Sequence, residues 1–175
     1  MDHIFIGFLL IFLDFNINLG NSTVGLIPDF IGYIFLVRGL NSLHGESPLF
    51  AKAHPAAVGM GIYSALLYAG DLLGITAALG WLGIGLGLIS TIISLYISYL
   101  IVMGIREMEN NHSAKLNGEN LQFTWKIMAI VQIATYITLL VPLLSLVFIL
   151  ASFILGIVFL VSVNTSKNLY RNLPG

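Results

Sequence analysis

The 175-residue chain contains no cysteine and few charged side chains, which make up only 9% of its residues. The lack of cysteine excludes disulfides, thiol redox chemistry and zinc–thiolate sites. The four histidines show none of the close spacings typical of metal ligands, so we expect neither a metal nor another cofactor. The seven Lys and Arg residues are scattered and the formal net charge is −1, so we do not expect nucleic acid as a partner.

Apolar residues are abundant, at 58% of the chain, and the mean hydropathy is +0.97. Soluble domains are about half apolar and about a quarter charged. The composition therefore indicates an integral membrane protein that has the lipid bilayer as a partner. The first apolar run follows no basic segment, and Asp14 and Asn16 stand where a signal-peptide cleavage site would need small residues. We therefore expect this run to be a retained span.

The apolar runs are long enough for six crossings, since spanning a hydrocarbon core takes about 20 residues. A glycine-flanked segment at residues 80–83 divides the long central run, and Pro142 divides the last one. We predict an all-α fold in which residues 1–175 form a single six-span transmembrane domain. The predicted spans are residues 3–19, 24–43, 57–78, 81–104, 121–140 and 143–163.

The basic residues predict how the spans are oriented, because cytoplasmic loops near span ends are enriched in Lys and Arg. With six spans, all seven basic residues fall on the side that carries the N terminus, and the first, third and fifth connections contain none. Both termini are therefore expected in the cytoplasm. The seven residues are Arg38, Lys52, Arg106, Lys115, Lys126, Lys167 and Arg171.

Two cytoplasmic connections have readable local patterns. A Ser-Pro pair opens residues 47–54, which is typical of a helix start and predicts a short interfacial helix with Leu49, Phe50 and Ala53 facing lipid. Residues 107–120 are polar and include an Asn-Gly turn signal. This second segment is predicted to be a solvated loop.

Three of the eight acids fall inside the predicted spans, namely Asp14, Asp29 and Asp71. An aspartate at the centre of a spanning helix costs about 2.5–3.5 kcal/mol, so such residues usually face the protein interior and mark function. The predicted topology places all three in the outer half of the membrane. No basic residue shares that depth, since Arg38 lies about 13 Å farther toward the cytoplasm than Asp29.

Each of these aspartates also has a structural interpretation. Asp29 follows a proline, and an acid in that position stabilises the start of a helix. Asp14 could accept hydrogen bonds from Asn16, from Asn18 or from the amides that open the second helix. Asp71 shares a helix face with Tyr68, and a hydrogen bond between these two side chains could hold two spans together.

Asp14 and Asp29 are predicted to face each other across the first helical hairpin, because the connection between their spans is short. With no basic residue at that depth, repulsion between two carboxylates should make the pair retain one proton toward neutral pH. Asparagine, tyrosine and glutamine side chains complete the predicted site. The candidate ligand-binding residues are Asp14, Asp29, Asp71, Tyr68, Asn18 and Gln132.

Polar side chains also form stripes on two later spans. Small and hydroxylated residues are the ordinary packing surface of membrane helices, so we predict that these stripes hold helices together. Gln132 is the exception, because an amide in mid-span has four hydrogen-bonding positions to satisfy. The stripes are Ser90, Ser94 and Ser98 on the fourth span, and Gln132, Thr135 and Tyr136 on the fifth.

The opening hairpin carries a family resemblance. The sequence INL at residues 17–19, followed by IPDFIGY at residues 27–33, is similar to the N-terminal hairpin of a family of small, uncharacterised multi-span membrane proteins from Gram-positive bacteria. Chain length and hydropathy are also similar to those of that family. The resemblance implies a location in a bacterial plasma membrane and implies no particular activity.

Two functions agree with these patterns. The first is a transport or solute-binding protein whose three aspartates form an outward-facing acidic site for a proton, a cation or an amine-bearing small solute. The second is a non-catalytic membrane subunit or assembly factor. Its intramembrane polar groups would hold helices together, and it would dock a membrane or cytoplasmic protein partner.

An enzyme is not expected. Residues 68–71, Tyr-Ala-Gly-Asp, have a faint likeness to the Gly-x-Gly-Asp motif of intramembrane aspartyl proteases, but Tyr68 stands where the first glycine should be. Two aspartates could share a proton as an acid–base pair. That chemistry would need both motifs of the protease family, and no nucleophile arrangement offers an alternative.

Overall fold

A computed structural model of the protein describes residues 1–12, 16–19, 22–25, 28–74, 81–139 and 141–173. These residues are mostly helical, which confirms the predicted all-α class, and they also include one small two-stranded hairpin. The elements in chain order are α1 (Asp2–Phe12), β1 (Asn16–Leu19), β2 (Ser22–Gly25), α2 (Asp29–Ser42), α3 (Pro48–Leu72), α4 (Trp81–His112), α5 (Gly118–Thr138) and α6 (Pro142–Arg171).

The helices form an up-and-down bundle in which each helix packs against the next one in the chain. α1 also packs against α6, so the first and last helices meet and close the bundle. Aromatic rings make part of this closing contact, with the ring centroid of Phe159 5.3 Å from that of Phe8 and 6.0 Å from that of Phe12. The amino group of Lys167 lies 4.5 Å from the centroid of the Phe5 ring.

The β-hairpin corrects the first two predicted spans. Helix was predicted throughout residues 3–19 and 24–43, but Asn16–Leu19 pairs with Ser22–Gly25 in an antiparallel register that sets Asn18 opposite Thr23. Polar and apolar residues alternate in β1, and β2 contains the β-branched pair Thr-Val, both of which favour strands. Hydropathy averaged over a whole span does not detect this two-residue period, because a strand and a helix of the same composition have the same mean hydropathy.

The start of α3 corrects a second expectation. The predicted separate interfacial helix is continuous with the third span, and Ser47 caps it by accepting a 3.1 Å hydrogen bond from the amide of Leu49. Phe50 and Ala53 do not face lipid, because both are 0% exposed. The Phe50 ring packs where Gly104 of α4 has no side chain. These first turns therefore belong to the protein core.

One end of the bundle, where α2, α4 and α6 end and α3 and α5 begin, is called the basic end here because most of the Lys and Arg residues lie there. The predicted solvated loop at residues 107–120 is largely helical, since α4 continues to His112 and α5 starts at Gly118. The intervening turn is held by Glu109, whose Oε1 accepts hydrogen bonds from the amides of Leu116 (2.6 Å) and Gly118 (2.9 Å).

Glu46, in the α2–α3 connection, joins three parts of the basic end. Its carboxylate lies 2.7 Å from Nε2 of His112 and accepts a 3.0 Å hydrogen bond from the hydroxyl of Tyr170. Its backbone carbonyl accepts a 3.1 Å hydrogen bond from the side-chain amide of Asn111. The hydrogen bond from His112 is the main reason that the pKa of Glu46 lies below its ordinary value.

A lowered glutamate pKa makes stability depend on pH in a definite direction. The contribution of Glu46 is fully present above the ordinary glutamate pKa and is lost as pH falls through the lowered value. Glu46→Gln should therefore destabilise the protein at pH 7 by roughly 0.5–1 kcal/mol, as expected for a partly exposed pair. Thermal unfolding in detergent should show that the gap between wild type and variant closes in acid. Glu119→Gln, at an exposed acid of α5, is the control; a Glu46→Gln gap that is constant from pH 7 to acid would contradict this account.

Candidate functional site

A polar cavity of about 360 Å³ lies where five helices come together, and its lining is rich in oxygen-bearing side chains. α2, α4, α5 and α6 supply the polar groups, while α1 adds apolar side chains. The lining residues are Ile11, Phe12, Asp29, Tyr33, Ser90, Thr91, Ser94, Gln132, Thr135, Tyr136, Ile149 and Ser152. We refer to this space as the polar cavity.

Asp29 enters the polar cavity from the first turn of α2. Pro28 occupies the N-cap position in an extended conformation, with φ −64° and ψ 132°, so the helix begins at the aspartate. Proline ahead of the first turn and an acid within it are both favoured at a helix start. The Oδ1 atom of Asp29 is buried. The local sequence therefore places a carboxylate at the N-terminal start of α2.

Tyr33 lies one turn after Asp29 on the same face of α2, and its side chain is only 4% exposed. The tyrosine side chain lines the same space as Ser94 of α4, and it is close enough to Ser94 and Asp29 to interact with both. This contact fixes the face of α2 that turns toward α4. As a result, the carboxylate and the hydroxyl groups of α4 share one cavity.

The opposite wall is held together by hydrogen bonds between helices. The hydroxyls of Thr91 and Tyr136 lie 2.8 Å apart and join α4 to α5. Thr135 donates to the carbonyl of Val131 at 2.9 Å, and its hydroxyl lies 3.2 Å from that of Ser152, which joins α5 to α6. The wall therefore combines helix packing with a surface of hydroxyl groups.

The polar cavity contains an acidic side chain and no basic one among its described lining residues. Among the described residues that line it, Asp29 is the one charged side chain, and no Lys, Arg or His is present. Hydroxyl and amide oxygens around a carboxylate can accept hydrogen bonds from a cationic group. Across the described ranges, no group of three His, Asp or Glu side chains could hold a metal ion. The arrangement is suited to a proton or a singly charged cation.

Only part of the predicted site assembles in this cavity. Asp29 and Gln132 meet there, from α2 and α5. Tyr68 and Asp71 do not line it, although the ring centroids of Tyr68 and Phe30 lie 5.9 Å apart, so the end of α3 is beside the start of α2. The end of α3 that carries Asp71 therefore lies close to the start of α2, and none of the described lining residues of this cavity comes from α3.

The other two predicted residues are Asp14 and Asn18. Asp14 lies outside the described residues, so its predicted pairing with Asp29 stays a prediction. Asn18 lies in β1, where its backbone is paired with Thr23. The β-hairpin is connected to the site along the chain, because β2 ends four residues before Asp29. β2 also packs against α3.

The polar stripes have more than the packing role that was predicted. Ser90 and Ser94 line the polar cavity, whereas Ser98 on the same stripe accepts a 2.9 Å hydrogen bond from the indole of Trp125 and is a packing residue. Sequence reasoning overlooked Tyr33, although its spacing of four from Asp29 places both on one helix face. Thr91 and Ser152 gave no distinguishing signal.

Comparison with other proteins leaves the site to be interpreted from its own chemistry. No protein-family model matches the chain, and no characterised protein or solved structure is detectably similar to it. The resemblance of the INL and IPDFIGY segments to a bacterial membrane family therefore stays an expectation. A fold alone does not define an activity, so the side chains that line the polar cavity are the best indication of function.

Proposed function

We propose that this chain is a transport or solute-binding protein of the bacterial plasma membrane, and that its polar cavity takes up a small amine-bearing solute from the outer side. The single observation that carries the proposal is the position of Asp29. It is the one charged group among the described residues that line the cavity, and hydroxyl groups from three other helices surround it. A protonated amine supplies both the opposite charge and several N–H donors.

The size of the polar cavity favours an amine over a bare ion. Its volume of about 360 Å³ falls in the range of roughly 300–1,000 Å³ that is usual for small-molecule sites. A bare cation would need its oxygen ligands drawn in around it at about 2.3–2.6 Å, as for calcium. Two tyrosines, Tyr33 and Tyr136, also line the space, and aromatic rings attract organic cations.

A proton and an amine would compete for the same carboxylate, so binding should weaken as the external pH falls. This competition is the basis for exchange of the solute against a proton, in which release of a proton from the carboxylate accompanies capture of the solute. The test is calorimetric binding to the detergent-purified chain. Butylamine should bind and 1-butanol, with the same carbon skeleton, should not; equal binding of both would contradict a charge-based site.

The six-span topology is part of the proposal. Among the described helices, two are long and apolar enough to cross a membrane, Leu82–His112 and Pro142–Arg171, with mean hydropathies of 2.1 and 3.0. Large apolar side chains on α6, including Leu143 (78% exposed) and Val161 (61% exposed), form an outer surface suited to lipid. α1 and α2, at 11 and 14 residues, are about 16 and 21 Å long, so we propose that the β-hairpin completes their crossings.

Both termini and the basic end are proposed to face the cytoplasm, following the positive-inside rule. The cysteine-free chain allows a direct test in intact cells. His112→Cys, at the end of α4, should be protected from an impermeant thiol reagent added outside, and Thr23→Cys, in the hairpin, should be labelled. Labelling at position 112 by the external reagent would overturn the six-span topology.

The alternative function, a non-catalytic membrane subunit or assembly factor, is favoured by the hydrogen bonds inside the wall. The Thr91–Tyr136 and Thr135–Ser152 contacts join neighbouring helices and would be useful without any ligand. In that case Asp29 would only stabilise the start of α2. Amine binding separates the two functions, because a purely structural cavity has no reason to prefer a cation over a neutral molecule of equal size.

A further inference from the structure

A second cavity, of about 440 Å³, opens on the outside of the bundle between α2 and α3. Its walls are almost wholly apolar, and we refer to it as the α2–α3 groove. Three of its side chains are substantially exposed, namely Ile34 (46%), Val58 (37%) and Ile62 (60%). Tyr33 and Gly61 form the close helix contact beneath them. The groove is therefore an open apolar channel on the surface that faces lipid.

Arg38 is the one charged residue among the described residues that line the α2–α3 groove. It is exposed and lies four residues before the end of α2, about 6 Å from the basic end along the helix. The apolar lining extends along α2 from Arg38 back to Phe30, which corresponds to about 12 Å along the helix axis. A positive charge at one end of the α2–α3 groove and apolar walls along the rest of it match a phospholipid, which has a charged head group and apolar acyl chains.

We propose that the α2–α3 groove binds an acyl chain of an anionic phospholipid of the inner leaflet, and that Arg38 contacts the lipid phosphate. An arginine fork matches phosphate oxygens in geometry as well as in charge. Binding is favourable because the CH₂ groups of the acyl chain cover the exposed apolar side chains of the α2–α3 groove. The charge complementarity of Arg38 favours an anionic lipid over a second copy of this chain, whose matching face would bring two arginines together.

This inference rests on the proposed membrane topology and does not depend on ligand binding in the polar cavity. The experiment uses the full chain in detergent, stripped of lipid and then titrated with phosphatidylglycerol or phosphatidylcholine, with bound lipid counted by native mass spectrometry. Wild type should retain phosphatidylglycerol over phosphatidylcholine by about fivefold, the effect of one basic residue at a membrane surface. Inorganic phosphate should not compete, since it lacks the acyl chain.

Matched variants locate the lipid. Arg38→Gln should lose the preference, whereas Lys52→Gln, at an exposed basic residue of α3 that does not line the groove, should keep it. Ala65→Phe should fill the groove and reduce retention of both lipids. Equal losses in Arg38→Gln and Lys52→Gln would show general charge attraction and overturn the site.

Two further outcomes are informative. A wild-type dimer that becomes monomeric in Ala65→Phe, without a lipid preference, would assign the groove to contact between copies and contradict the inference. Asp29→Asn should keep the lipid preference. Loss of amine binding with lipid preference intact would therefore leave this inference standing, and the reverse pattern would overturn it while sparing the polar cavity.

Discussion

Asp29→Asn should strongly weaken amine binding in the polar cavity while the protein still folds. Asparagine has nearly the same shape and also suits a helix start, so the first turn of α2 should form as before. It lacks the negative charge that the ammonium group needs. A hydrogen bond to a charged group contributes about 1.5–3 kcal/mol, so calorimetry should show affinity reduced by roughly 10-fold to more than 100-fold.

Asp71→Asn is the matched control for this experiment. Asp71 is also an acid at the same end of the bundle, on α3, but it does not line the polar cavity. Its replacement should leave amine affinity within about twofold of wild type, an effect below roughly 0.5 kcal/mol. Equal losses in the two variants would indicate a general effect of acidic charge, and unchanged binding in Asp29→Asn would remove Asp29 from the site.

Gly39→Ala should destabilise the protein strongly through the contact between α1 and α2. A Cβ atom at Gly39 would lie 2.6 Å from Cγ1 of Ile4 and 2.8 Å from the backbone nitrogen of the same residue. A side chain could rotate away, but a backbone nitrogen cannot, so the two helices would have to separate. Overpacking of this kind costs about 1–3 kcal/mol, and thermal unfolding in detergent should shift downward accordingly.

Gly59→Ala isolates this packing effect from helix propensity. Gly59 lies in α3, is exposed, and has no atom within 4 Å of the position that a Cβ would take. Alanine is favoured over glycine in a helix by up to about 1 kcal/mol, so this variant should be neutral or more stable. If both alanine variants changed stability alike, the close approach of α1 and α2 would not be the determining contact.

Much of the helical architecture could be predicted from the sequence because long apolar runs have few alternatives. The cores of α4 and α6 correspond to predicted spans 81–104 and 143–163, and prolines mark the starts of α2, α3 and α6. The hairpin was missed because hydropathy averaged over a span does not resolve a two-residue period. The length of α3 was missed because Lys52 made its first turns resemble a surface segment.

The site was harder to predict because the sequence indicates how far along the bundle a residue lies but not toward which neighbouring helix its side chain points. Asp29 and Asp71 were correctly placed at one end, yet only Asp29 lines the polar cavity. Which face of α2 turns toward α4 is decided by tertiary contacts such as the one between Tyr33 and Ser94. A stripe of serines and threonines has the same pattern whether it packs against a helix or lines a space.

The most direct measurement of the central claim is an experimental structure of the full chain with bound butylamine. We expect ligand density in the polar cavity, with the ammonium nitrogen within hydrogen-bonding distance of the Asp29 carboxylate and the carbon chain toward Tyr136. Density for the amine at the basic end or in the α2–α3 groove, with the polar cavity empty at saturating amine, would contradict it.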